Sequence, residues 1–244
     1  LSIVFIFFFI RMLFLIFYHC LIVFTGFFLY NLNRRIVIYQ FPKLLPEFGL
    51  TATDAGTISS SQQLSTTVIT FVGGILSDII PSRILFPAGL IVCGVSSILF
   101  PLGTSTLTFS IFLFLNGAGQ GLRLPTALRL TKQLSEVSTF ATNWSLILIG
   151  VNVAGIVTPL LTSILSSLSW STVVRGSGII TLIFGLFCLK EFYHIGDEDN
   201  KKIHGRKTIK DRKEHEKNSG RIALTTILTF PILWIVVGNY FVTG

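Results

Sequence analysis

The 244 residues are 51% hydrophobic and only 12% charged, with a mean hydropathy of +0.75, where a soluble domain carries roughly 25% charge. A soluble globular fold is excluded, and so is disorder, which needs low hydrophobicity and high charge rather than long apolar runs and 23 Phe. The net charge of +8 and the pI near 9.7 are accounted for by membrane topology, so lipid is an expected partner and nucleic acid is not.

A helix needs about 20 mostly apolar residues to cross the hydrocarbon core. Stretches free of Asp, Glu, Lys and Arg occupy 12–33, 55–77, 84–122, 137–174 and 222–244. The first is one span, preceded by an apolar extension over 1–11 that the bundle does not require, since Met12 abuts a sufficient helix. The second is a span from Thr57 to Ser77. The third is long enough for two spans joined by a turn around Pro101, Gly103 and Thr104. The fourth holds the fifth span and a Ser-rich connection from Ser166 to Ser171. A sixth span then runs from about Val173 to Tyr193, and a seventh helix over 222–244 is cut off by the end of the chain. The expected fold is therefore all-α: a six-helix transmembrane bundle over 12–193, a charged linker over 194–221 and a truncated seventh helix. Strands of a barrel would alternate in hydrophobicity over about ten residues, whereas Ile111 to Leu115 are apolar in succession.

Lys and Arg accumulate on the cytoplasmic side of short loops. With the N-terminus inside, only Arg34, Arg35, Lys43 and Arg175 of the 19 Lys and Arg fall outside. Arg123, Arg129 and Lys132 are then inner-segment charges, and the 194–221 linker is cytoplasmic. Cys20, Cys93 and Cys188 fall inside spans, and the four His show no ligand spacing. No metal site or cofactor is expected.

Polar residues inside spans are candidates for function, because an arginine at the bilayer centre costs about 2.5–3.5 kcal/mol. Arg34 and Arg35 end the first span on the side that the charge rule disfavours. They either snorkel to the interface or turn inward as an anion receptor, for which the planar guanidinium fork is suited. The second span is crowded with Ser, Thr, Gln62 and Gln63. Hydroxyls bonding back to the helix's own carbonyls explain part of this, and lining an aqueous cavity explains the rest. In the fourth span, Gly117, Gly119 and Gly121 read as close helix packing, as does Gly155 in the fifth, where Asn152 is a further polar candidate for the cavity.

Between the second and third spans, Gly74, Asp78 and Arg83 resemble the loop motif of major facilitator transporters, with Asp78 capping and pairing at helix ends as a switchable contact. Asn33-Arg34-Arg35, Ser60 with Gln62, Gly89, Asn116 with Gly117, Gln120 with Gly121 and Pro125, Asn152 with Gly155 and Pro159, and Ser169-Trp170 fall in order and at matching spacing. Together they resemble the organophosphate:phosphate antiporter family, most closely its glucose-6-phosphate translocases of the endoplasmic reticulum membrane. The resemblance implies a substrate-binding set of Arg34, Arg35, Gln62 and Asn152, a small anionic substrate (a sugar phosphate and inorganic phosphate) exchanged by alternating access, and a further half to complete the transporter. It implies no enzyme activity. Two departures stand out: Thr66 and Thr70 replace a Tyr and a Lys usual in the second helix, and Arg123-Leu124-Pro125-Thr126 replaces Gly-Trp-Pro-Pro in the fourth. They keep open a facilitator for another small anion or neutral solute, and a non-transporting half-transporter with a sensor or interaction role. A membrane enzyme is disfavoured, since no nucleophile with a base lies within the spans.

Overall fold

Lipid offers the backbone no hydrogen-bond partner, so each apolar window must satisfy its own peptide groups and becomes a helix. The computed structural model describes the backbone of residues 2–135 and 139–203. The elements are α1 (Ser2–Tyr39), α2 (Phe41–Glu47), α3 (Ala52–Ile79), α4 (Ser82–Leu99), α5 (Thr106–Leu134), α6 (Phe140–Ile164) and α7 (Trp170–Ile203). Single 3-10 turns at Phe100–Leu102 and Leu165–Ser167 close α4 and α6, and there is no strand among the described residues. The chain divides into two compact units, Leu1–Gly196 and Asp197–Gly244. The linker expected over 194–221 continues α7 as far as Ile203. Its remainder and the expected seventh helix over 222–244 lie outside the described residues.

Among the described residues, four stretches are long and apolar enough to cross a membrane: Cys20–Tyr39, Ser82–Leu102, Phe140–Ser167 and Trp170–Phe192. The other two long helices, α3 and α5, have the length without the apolarity, and they pack chiefly on each other. The glycines of α5 make this possible. A Cβ at Gly117 would come within 2.3 Å of the Gln62 carbonyl oxygen, and one at Gly121 within 2.8 Å of that of Thr66, both on α3. One at Gly119, on the other side of α5, would come within 2.6 Å of the Gly89 carbonyl oxygen on α4. α5 is thus held between α3 and α4 at backbone contact, the arrangement small residues permit in lipid. Since a carbonyl cannot yield as a side chain tip can, Gly117→Ile is expected to abolish the monodisperse folded species in detergent. Gly56→Ile on α3, with open space around its Cβ, should leave that species intact; gel filtration of the two variants checks this.

Helix starts are specified locally. Thr51 and Asp54 form a capping box at α3 and Ser105 and Thr108 one at α5, and Thr106 donates to Asp54 at 3.0 Å, joining the two starts. The Thr51 N–H, the Thr51 hydroxyl and the Thr106 hydroxyl all donate to the Asp54 carboxylate and hold it below its ordinary range. Pro125 does not end α5, which continues to Leu134. Arg123, counted above among the inner-segment charges and set by the resemblance on the fourth helix, therefore lies well inside α5.

Candidate functional site

Along α1 the residues Phe27, Asn31, Arg34 and Arg35 recur at the spacing of helical turns and form one strip. The Arg34 guanidinium donates to Gln63 Oε1 on α3 at 2.6 Å. Arg35 turns toward α6, its Cζ 3.5 Å from where a Gly155 Cβ would stand. Arg123 of α5 donates to Asn31 Oδ1 at 2.6 Å and sits over the Phe27 ring, 4.8 Å from its centroid. All three arginines are half-buried. Among the described residues none of them meets a carboxylate; the ion pair found there joins Arg129 to Asp78.

Directly behind Arg34 lies a fully polar core. Buried Gln62 donates to Asn116 Oδ1 at 2.9 Å. The Asn116 amide nitrogen faces Asn33 Oδ1 and Ser97 Oγ at 3.0 Å and the Cys93 carbonyl and Ser96 Oγ at 3.2 Å. Ser97 donates to the same Asn33 oxygen at 2.9 Å, and Asn33 Nδ2 lies 3.5 Å from Ser177 Oγ on α7. Five helices meet in this network. The residue that anchors it from α1, Asn33, immediately precedes Arg34, so the backbone that presents the guanidinium is tied on all sides.

The expected site residues are distributed unevenly over this geometry. Gln62 turns inward to Asn116 and does not face Arg34; its neighbour Gln63 takes that place, with Ser60 and Thr67 exposed on the same face of α3. Asn152 is exposed on α6, one turn from Gly155 and hence on the side where Arg35 lies. At Gly155 the neighbour is the Arg35 side chain, not the backbone of a packed helix. The hydroxyls of Thr66 and Thr70 are spent within α3, donating to the Gln62 and Thr66 carbonyls at 2.8 and 2.7 Å. At the opposite end of α3, Asp78 pairs with Arg129 of α5, which also donates to the Ser77 carbonyl. Arg83 lies half-buried in the first turn of α4, and Gly74 has open space around its Cβ. The switchable contact expected at Asp78 thus crosses from α3 to α5 through a residue that had been read only as a topology charge.

Residues 23–244 match the Major Facilitator Superfamily. The chain is 26% identical to the probable hexose phosphate transport protein of Chlamydia pneumoniae over 238 residues, 89% of this chain and 51% of that protein. It is 26% identical to the membrane sensor protein UhpC of Escherichia coli (68% of this chain, 38% of that protein) and 29% identical to the glycerol-3-phosphate transporter of Bacillus subtilis (66% and 37%). It spans about half the length of the hexose phosphate relatives. With a match that covers nearly the whole chain and an all-helical membrane bundle, this protein belongs to the Major Facilitator Superfamily.

Proposed function

We propose that the protein exchanges a sugar phosphate of the glucose 6-phosphate kind for inorganic phosphate by alternating access, with Arg34 and Arg35 receiving the phosphoryl group. The observation that carries this is a pair of adjacent guanidiniums in a helix long and apolar enough to span the membrane, paired with no carboxylate among the described residues and flanked by the exposed Gln63, Ser60 and Asn152. A charge kept in lipid with no carboxylate to neutralise it calls for an anion from solution. The names of the relatives, hexose phosphate transport and glycerol-3-phosphate transport, support a phosphorylated substrate. In a facilitator the substrate sits between two halves that rock against each other, so the chain supplies one wall of the path.

The test is exchange in proteoliposomes carrying the full-length protein. Uptake of labelled glucose 6-phosphate should be stimulated by phosphate trapped inside, and equal uptake into empty vesicles would sink the antiport reading. Binding without exchange would instead favour a sensor role, as in the relative named a membrane sensor protein. Residence in the endoplasmic reticulum membrane with the 194–221 segment cytoplasmic belongs to the same proposal; protease access to a tag in that segment, in sealed microsomes, tests it.

A further inference from the structure

We infer that Arg123 is a second anion-contacting residue: with Arg34 it closes on a single phosphoryl group from α5 and selects the dianion over the monoanion. The inference rests on the reading of Arg34 as the phosphate receptor and adds to it a second residue, on another helix, and a charge selectivity.

Arg123 is a charge inside a helix, 17 residues from the first residue of α5 and 11 from the last. It does not run toward either end to reach water. Its Nη1 donates to Asn31 and its Cζ covers Phe27, so it is folded inward against the strip of α1 that carries Arg34 one turn on. Both partners are neutral. They orient the guanidinium without cancelling its charge, and the Asn31 carboxamide uses only one of its five donors. Nε is buried with no hydrogen-bond partner, and Arg34 lies within electrostatic reach. Two like charges held close in a poorly solvated region, with donors to spare, describe a receptor waiting for an anion of charge greater than one.

On α3, Thr66 and Thr70 spend their hydroxyls within their own helix, and the α3 residue that meets Arg34 is the neutral Gln63, so α3 contributes no cation. Gly121 brings the backbone of α5 against these threonines, a Cβ there reaching within 2.9 Å of the Thr70 nitrogen. Arg123 lies one turn beyond Gly119, on the side of α5 away from these threonines, so its charge is presented against the α1 strip at Phe27 and Asn31 and not from α3.

The test is the KM for labelled glucose 6-phosphate in phosphate-loaded proteoliposomes of the full-length protein, measured across the second ionisation of the phosphate ester at about pH 6. The charged or titratable groups around Arg123 are Arg34 and Tyr30 of α1 and Cys93 of α4; none ordinarily titrates near that pH, so the profile reports the ligand. For the wild type, KM should fall as the dianion forms. In Arg123→Gln it should rise about tenfold above that pH and lose its pH dependence, while Arg123→Lys should keep the profile with a KM between the two. A wild-type KM and profile in Arg123→Gln overturns the inference, and so does a loss confined to Vmax, the mark of a structural role. Should Arg123→Gln not fold, Arg123→Lys decides alone: a raised KM at wild-type Vmax supports contact with the anion, and an unchanged KM overturns it. Loss of exchange in Arg34→Lys beside wild-type behaviour in both Arg123 variants refutes this inference only; unchanged exchange in Arg34→Lys refutes the receptor reading on which it stands.

Discussion

Arg34→Lys is expected to lose phosphate exchange by roughly 10- to 100-fold in kcat/KM, with the protein still folded. A hydrogen bond to a charged group contributes about 1.5–3 kcal/mol, and each 1.4 kcal/mol is about tenfold. Lysine keeps the charge, so long-range attraction for the anion survives. It cannot offer two parallel N–H groups to two phosphate oxygens, and its ammonium would have to choose between Gln63 and the ligand. Exchange assays in proteoliposomes read the loss directly. Full activity in Arg34→Lys would mean that the arginine only anchors α1 at the interface.

Asn116→Leu is expected to cost more in folding than any single contact of the network suggests. Bonds between membrane helices average only ~0.6 kcal/mol, which by itself would make the variant tolerable. The decisive effect is what remains behind. Gln62, 2% exposed, loses the acceptor it donates to, and the Cys93 carbonyl, Ser96 and Asn33 lose a shared donor. A buried polar group left unpaired costs about 1–3 kcal/mol, so a loss of a few kcal/mol is expected, with a clearly lower melting temperature in detergent. Asn116→Asp keeps the acceptor for Gln62 but removes the donor and should fall between the two. A melting temperature unchanged in Asn116→Leu would show that water already serves these groups.

The long helices were legible because the bilayer sets one length for every crossing: the uncharged window 84–122 is too long for one span and right for two, and 137–174 holds one span and a connection. Phase was not legible. In α3 the run from Ser59 to Thr67 is polar on every face, so periodicity could not tell Gln62 from Gln63, and only the packing of Gly117 on the Gln62 backbone decides which glutamine turns inward. Arg123, at the edge of an uncharged window, reads from composition as a topology charge, and charge alone does not mark its depth inside the helix. The apolar positions Ala127, Leu128 and Leu130 beyond Pro125 were the signal that the helix goes on. The Asn33–Asn116 pairing joins residues 83 apart and has no local signature, since each asparagine alone reads as an isolated polar residue in an apolar helix.

The poor apolarity of α3 and α5 bears on how the chain enters the bilayer. A helix is released sideways into lipid when its own residues prefer hydrocarbon to water, and the apolar stretches Cys20–Tyr39 and Ser82–Leu102 meet that condition by themselves. α3 does not. Gln62 and Ser65 become compatible with hydrocarbon only when the glycine face of α5 covers them, and α5 is synthesised after α4. α3 is therefore expected to settle in lipid only once α5 has emerged, the two partitioning together. The same close glycine seam that holds the finished bundle thereby orders entry into lipid: α1 and α4 each by themselves, and α3 only with α5, as one joint step.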